Sequence, residues 1–376
     1  MSRLLSPVDV FVVGGGPAGL ATAIAARRHG LSVAVADGAF PPIDKPCGEG
    51  LMPDGVEALR ALGIAIPENE AYPFRGIRFK SHRLTAEAVF PRGTAFGIRR
   101  TLLHRIILDR AAACGVRLLW QAVVTGIRPE GVLLDGELMP ARWMVGADGV
   151  GSRVRTWAQL DRQEPGALQQ PRLRFGFRRH YRIPPWSDSM ELHWGRECQI
   201  YLTPVNREEI CLALVSDDRK LRLEDALGEF PELCAHLRGA EHSSNERGAI
   251  TVTRRLRRVY RGRTALVGDA SGGVDAITGE GLCLAFRQAE LLGDCLATGD
   301  LARYQAGHRA LIRRPALMAR LMLFMARHHQ LRQRTMQVFQ SNPRTFAGML
   351  AMHVGEGSTR DYVSNGIALG WELLTV

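Results

Sequence analysis

Val8-Asp9-Val10-Phe11-Val12-Val13-Gly14-Gly15-Gly16-Pro17-Ala18-Gly19 stands at the start of the chain and decides how the rest is read. Val8 to Val13 is a nearly continuous apolar run, the pattern of a parallel strand buried on both faces. Pro17 to His29 follows with helical character, and Gly30 stands where such a helix stops. Leu31 to Ala36 is a second apolar run, closed by Asp37. These three pieces make one βαβ unit. Within it Gly14, Gly16 and Gly19 have the spacing GxGxxG. Gly14 permits the tight turn out of the strand, Gly16 lets a pyrophosphate approach the backbone, and Gly19 lets helix and strand pack closely. Pro17 and Ala18 open the helix, whose free N–H groups and positive dipole end favour a phosphate. Asp37 is placed to accept hydrogen bonds from a ribose and would repel a 2′-phosphate, so FAD or NAD fits this cradle and NADP does not.

The composition is that of a globular protein. The chain has 376 residues, 46% hydrophobic and 23% charged, enough for one large core or two fused ones. Its formal charge is +11, and nearly all the positive charge is arginine, since Lys45, Lys80 and Lys220 are the only lysines. The densest basic run, Arg254 to Arg263, alternates with Leu256, Val259 and Tyr260 and has no Gly-aromatic RNA signature. It reads as a solvated strand edge and loop, with attraction of a phosphate or NADPH as the alternative; no nucleic-acid partner is expected. The seven cysteines are odd in number and none are spaced as CxxC, so a reducing, cytoplasmic setting is expected, and no metal site. No apolar run reaches membrane-spanning length; peripheral membrane contact stays open.

The rest of the chain organises around the βαβ unit. Helical spacing runs from Thr101 to Cys114. Strands are expected at Val116–Leu119, Val123–Ile127, Val132–Leu134 and Trp143–Val145, the last running into Gly146-Ala147-Asp148-Gly149. After about residue 160 apolar residues fall at alternating positions, as in an antiparallel sheet with one wet face. Thr264–Val267 returns to a buried-strand pattern, a long helix is expected from Gly281, and from Leu301 onward the pattern is helical. The fold class is therefore α/β: a Rossmann-type dinucleotide domain with an inserted antiparallel sheet and C-terminal helices. The expected divisions are 1–160 with a small insertion near 72–98, 161–254, 255–300 and 301–376.

Three further motifs carry a family resemblance. Val145-Gly146-Ala147-Asp148-Gly149 through Arg155 resembles the DG motif of flavoprotein monooxygenases. Ala265-Leu266-Val267-Gly268-Asp269-Ala270 is similar to their GD motif, and Arg100-Thr101-Leu102-Leu103 to their RxxL. The resemblance implies one tightly bound FAD. Asp148, Gly268 and Asp269 would lie along it, Arg100 would reach it, and a backbone group at Val123 or Val124 would meet the adenine. Gly279, Gly281 and Leu282 would bring a helix N-terminus to the flavin, where it stabilises negative charge. With no second GxGxxG, NAD(P)H is expected as a transient co-substrate.

Asp44-Lys45-Pro46-Cys47-Gly48-Glu49-Gly50 resembles a segment of geranylgeranyl reductases, the reductase branch of this superfamily. There the Cys-Gly turn lies over the flavin. Cys47, Gly48 and Glu49 are accordingly the candidate catalytic residues, with Cys47 as proton donor or substrate contact; the alternative for Cys47 is a small buried hydrophobe. Gln199-Ile200-Tyr201-Leu202-Thr203-Pro204 departs from the aromatic segment of the prenyl reductases by lacking its Trp-x-Phe. The resemblance thus implies a monooxygenase acting with O2 on an apolar, aromatic or polyketide-like small molecule. A C=C reductase is the first alternative, and a flavin-free prenyl-binding protein of the same fold the second. The tail after Leu301 reads as a helical layer capping the substrate sheet, with a membrane-surface helix as the alternative.

Overall fold

Val8–Val13 forms the centre of a parallel sheet, hydrogen-bonded to Val33–Asp37 on one side and to Glu137–Gly146 on the other. The computed structural model describes residues 6–162 and 172–356. Arg117–Trp120 extends the sheet beyond Val33–Asp37, and Thr264–Leu266 extends it beyond Glu137–Gly146, all parallel. Val8–Val13 and Val33–Asp37 are almost wholly buried, and the helix between them, Pro17–Arg28, packs against Gly281–Thr298 and Arg100–Ala113. Gly293 makes this close, since a Cβ there would meet Ala25 at 2.6 Å.

One expected strand is longer than its apolar stretch. Trp143–Val145 is the inner end of Glu137–Gly146, whose outer half pairs antiparallel with Gly131–Leu134. A strand that leaves the core keeps its hydrogen bonds but not its apolar pattern.

The second sheet is mostly antiparallel, in the order Gly272–Gly273, Arg247–Arg255, Arg172–Arg182, Glu209–Ser216, Cys198–Pro204, Ser189–Trp194, Gly76–Ser81 and Leu84–Val89. Gly76–Ser81 joins it in parallel register with Ser189–Trp194, which draws residues 76–89 into this sheet, while Tyr72–Phe74 and Ala95–Gly97 pair in a separate three-stranded sheet with Gly50–Leu51. The expectation of one wet face is corrected here. Every residue of Ser189–Trp194 and Cys198–Pro204 is buried. One face carries a separate apolar cluster with Leu223, Phe230 and Leu233; the other looks toward the dinucleotide domain and the C-terminal helices. Arg172–Arg182 even inverts the simple rule, with Leu173 exposed and Arg174, Arg178 and His180 buried.

The helices Leu301–Arg327, His329–Ser341 and Pro343–His353 form the C-terminal layer, and the last two pack against Leu84–Val89. Among the described residues no helix is long and apolar enough to cross a membrane.

Candidate functional site: a glycine-lined cavity between two sheets

The GxGxxG turn is held by its neighbours. Gly14 has φ +112°, and a Cβ there would meet the Ala147 carbonyl oxygen at 2.4 Å, so the turn also packs against the DG segment. Asp37 accepts the Gly15 N–H at 2.8 Å and the Ala39 N–H at 2.8 Å. His104, which sequence reasoning missed, is buried with Nε2 2.9 Å from the Gly15 carbonyl. A carbonyl oxygen only accepts, so Nε2–H donates to it, and burial holds the ring's pKa below the usual histidine range. By contrast, nothing lies within 4 Å of where a Cβ on Gly16 would sit.

The DG segment is wound around its acid. Asp148 accepts from Ser152 Oγ at 2.6 Å and from the Arg153 and Val154 N–H groups at 2.7 and 3.2 Å, which starts the short helix Arg153–Trp157. Arg155 is buried and donates to the Ala270 and Val150 carbonyls at 3.1 and 3.0 Å, tying the DG segment to the GD segment. Neither Asp37 nor Asp148 lines the large cavity described next. Val124 is buried at the start of its strand, while exposed Val123 stands beside Gly38.

That cavity, about 460 Å³, lies between the dinucleotide domain and the second sheet. It is lined by Gly16, Pro17 and Ala18, by Lys45 to Gly50, by Arg100, by Gly268 and Asp269, and by Gly279, Gly281 and Leu282. Gly48, Gly279 and Gly281, like Gly16, present bare backbone, with nothing within 4 Å of a built Cβ. Asp269 lines this cavity and is exposed. The surrounding protein raises its carboxyl pKa, while Arg100 and Lys45 oppose the rise. The far wall is the sheet, with Phe177, Leu214, Val215, Ile250 and Val252. Arg254, read above as part of a solvated edge, also faces this cavity.

Cys47 lines the cavity from above. Its Sγ accepts the Glu49 N–H at 3.3 Å, and burial pushes its thiol pKa up, so the group keeps its proton at neutral pH. The turn is clamped from the sheet: Thr203 Oγ1 donates to the Gly48 carbonyl at 2.7 Å. Glu49 adopts φ +59° with its carboxylate buried, accepting the Arg100 N–H at 2.9 Å and facing His180 Nε2 at 2.6 Å. Behind it, His180 Nδ1 meets Arg178 at 3.0 Å and Ser244 Oγ at 2.7 Å, and Arg178 is paired with Asp44 at 2.5 Å. A guanidinium only donates, so the network assigns Nδ1 as acceptor and the ring proton to Nε2, donated to Glu49. Cys211 brings a third donor atom within 4.8 Å of Glu49 and His180. That cluster is already satisfied by hydrogen bonds, with the cationic Arg178 behind it, and we read it as a clamp on the turn.

These observations fit FAD. The cavity has four bare glycine faces, and the helices beginning at Pro17 and Gly281 carry no side-chain cap on their N-terminal amides. Arg100 Nε–H is buried without a partner among the described residues. An anionic cofactor with an extended backbone supplies what each lacks.

Residues 7–176 match the model of the FAD binding domain. Menaquinone reductase of Mycobacterium tuberculosis is 26% identical over 324 residues, 78% of this chain and 78% of that protein. Ubiquinone hydroxylase UbiM of Neisseria meningitidis is 25% identical over 335 residues, 81% of this chain and 72% of that protein.

The protein is an FAD-dependent oxidoreductase.

The oxidoreductase also shares its fold with a flavoprotein/dehydrogenase from Cytophaga hutchinsonii. The TM-score is 0.78 with 18% identity, over 93% of each chain. The match to the FAD binding domain and the bare glycine faces of the cavity set aside the reading as a flavin-free prenyl-binding protein. Of the residues that clamp the site, sequence reasoning missed His104, Arg178 and His180. Their only signal was polarity inside otherwise regular elements, which on its own reads as a solvated face.

Proposed function

We propose that this oxidoreductase is an NAD(P)H-dependent monooxygenase that hydroxylates an apolar, aromatic or polyketide-like molecule. One observation carries the substrate class. Met190 and Tyr201 line both the glycine-walled cavity and a second, almost wholly apolar one. The second cavity is lined by Ile77, Phe79, Leu192, Met322, Phe339 and Phe346 among others, between the sheet and the C-terminal helices. This second cavity is small, about 50 Å³, so it takes a small apolar group, while the body of the substrate lies in the larger cavity against Met190 and Tyr201. Bound FAD would supply the redox chemistry, taking reducing equivalents from NAD(P)H and passing them to O2. The protein's part is to hold and to exclude. Arg100 and Lys45 put positive charge beside Asp269, while Phe177, Leu214 and Val252 keep water off the sheet side. The names of the two relatives, a quinone reductase and a quinone hydroxylase, support a ring-bearing apolar substrate.

A second reading, reduction of a C=C bond, is favoured by Cys47. A thiol kept protonated at the cavity wall is a proton donor in waiting. Oxygen separates the two. In a screen of apolar ring compounds, the monooxygenase reading expects NAD(P)H oxidation coupled to O2 uptake and an oxygenated product. Product formed without oxygen by the dithionite-reduced protein would overturn it in favour of the reductase.

A further inference from the structure

Leu317, Leu321 and Phe324 are 46%, 41% and 53% exposed on the helix Leu301–Arg327. At i, i+4 and i+7 they share one face of that helix. Arg313, Arg314, Arg320 and Arg327 stand on or beside the same face, all exposed. The charge setting is one-sided: residues 301 to 355 contain nine arginines and no aspartate, glutamate or lysine. Most of the chain's formal charge of +11 is therefore matched by this layer alone. Three large exposed apolar side chains ringed by arginine fit neither a solvated helix nor an intramolecular core.

The patch is also the outer rim of a cavity. Leu321 is exposed and at the same time lines the apolar cavity, together with Met318, Met322 and Met325 of the same helix. Around the helix the order is arginine rim, apolar stripe, cavity wall, with Leu321 at the boundary. From there the apolar lining continues inward to Met190 and Tyr201 at the flavin site.

We infer that this face docks on an anionic phospholipid bilayer, with Leu317, Leu321 and Phe324 inserted among the headgroups and the arginines on the phosphates. The apolar cavity then opens into the membrane, and a lipophilic substrate enters without crossing water. The charge selects the partner: an arginine near an anionic surface strengthens binding by about fivefold. Neutral lipid offers only the apolar contribution. The use of the mouth rests on the apolar-substrate reading; the docking itself does not.

The test is flotation of the FAD-loaded full chain with vesicles. Binding is expected to phosphatidylcholine vesicles containing about a third phosphatidylglycerol, much weaker binding to phosphatidylcholine alone, and loss of binding in high salt. Arg320→Glu with Arg327→Glu should reduce binding by at least about tenfold, and Leu317→Ser with Phe324→Ser should also release the protein. None of these side chains lines the cavities, so both variants should keep the flavin spectrum and the unfolding temperature of the parent. Equal binding to both vesicle types, or no binding to either, overturns the inference. So does unchanged binding by the serine variant, or self-association that this variant abolishes, because a second copy would then be the cover. A protein that floats with vesicles yet turns over only water-soluble compounds would refute the substrate reading and leave the docking standing.

Discussion

Replacing His180 with leucine tests the clamp beneath the Cys47 turn. His180 is fully buried, with Nε2 2.6 Å from Glu49 and Nδ1 3.0 Å from Arg178. Leucine fills much of the space but leaves the Glu49 carboxylate with only the Arg100 N–H, and Arg178 with Asp44. With the ring neutral, the change removes one hydrogen bond to a buried carboxylate and one to a buried guanidinium, each about 1.5 to 3 kcal/mol. We expect a net loss of about 3 kcal/mol, the low end for two, because each orphan keeps one partner. With a urea slope of about 3 kcal/mol per molar, the unfolding midpoint falls by about 1 M. The same variant should retain less FAD, read as visible absorbance per protein, since Glu49 fixes both the Cys47 turn and the start of the Arg100 helix. His180→Gln keeps a donor toward Glu49 and should recover part of both losses. Adding Glu49→Gln to His180→Leu should also restore stability, because a neutral amide is cheaper to bury than an unpaired carboxylate. If His180→Leu unfolds within about 0.5 kcal/mol of the parent, or if the added Glu49→Gln deepens the loss, the clamp argument is wrong.

Gly16→Val separates binding from folding. Nothing lies within 4 Å of the built Cβ, so circular dichroism should be unchanged while FAD retention falls at least about tenfold; a yellow Gly16→Val protein refutes the cradle. Acid should weaken the fold through two histidines. Burial lowers His308 and His353 from 6.5 to about 4, so between those values the unfolded chain binds protons that the folded one refuses. Stability from these groups is whole above pH 6.5 and falls as pH drops toward 4, by up to about 3 kcal/mol for each. Urea midpoints measured across this range should show that slope, and His308→Gln should flatten it; an unchanged slope in this variant removes His308 from the account.

The local rules of the chain are plain in its sequence. Val8–Val13, the glycines to Gly19, and Asp37 specify strand, turn and helix through contacts a few residues long, and the GD and DG segments repeat that logic at two more strand ends. Local chemistry also marks the Cys47 turn, since Pro46, Gly48 and Gly50 exclude regular structure there. What local chemistry leaves open is which face of an alternating strand looks inward. In Arg172–Arg182 the alternation is plain, but its polar side, with Arg174, Arg178 and His180, reads as the wet one and is the buried one. The reason lies 131 residues away: Glu49 meets His180 there, and Asp44 meets Arg178. A charged residue is buried only where a partner of opposite charge or a hydrogen-bond acceptor waits for it, and that partner is supplied by tertiary structure. The sequence by itself thus determined a dinucleotide cradle, its acid and the turn above it. The tertiary structure decided that a polar strand face would clamp that turn, and that Met190 and Tyr201 would stand between the glycine-lined cavity and a small apolar one beneath an arginine-ringed helix face.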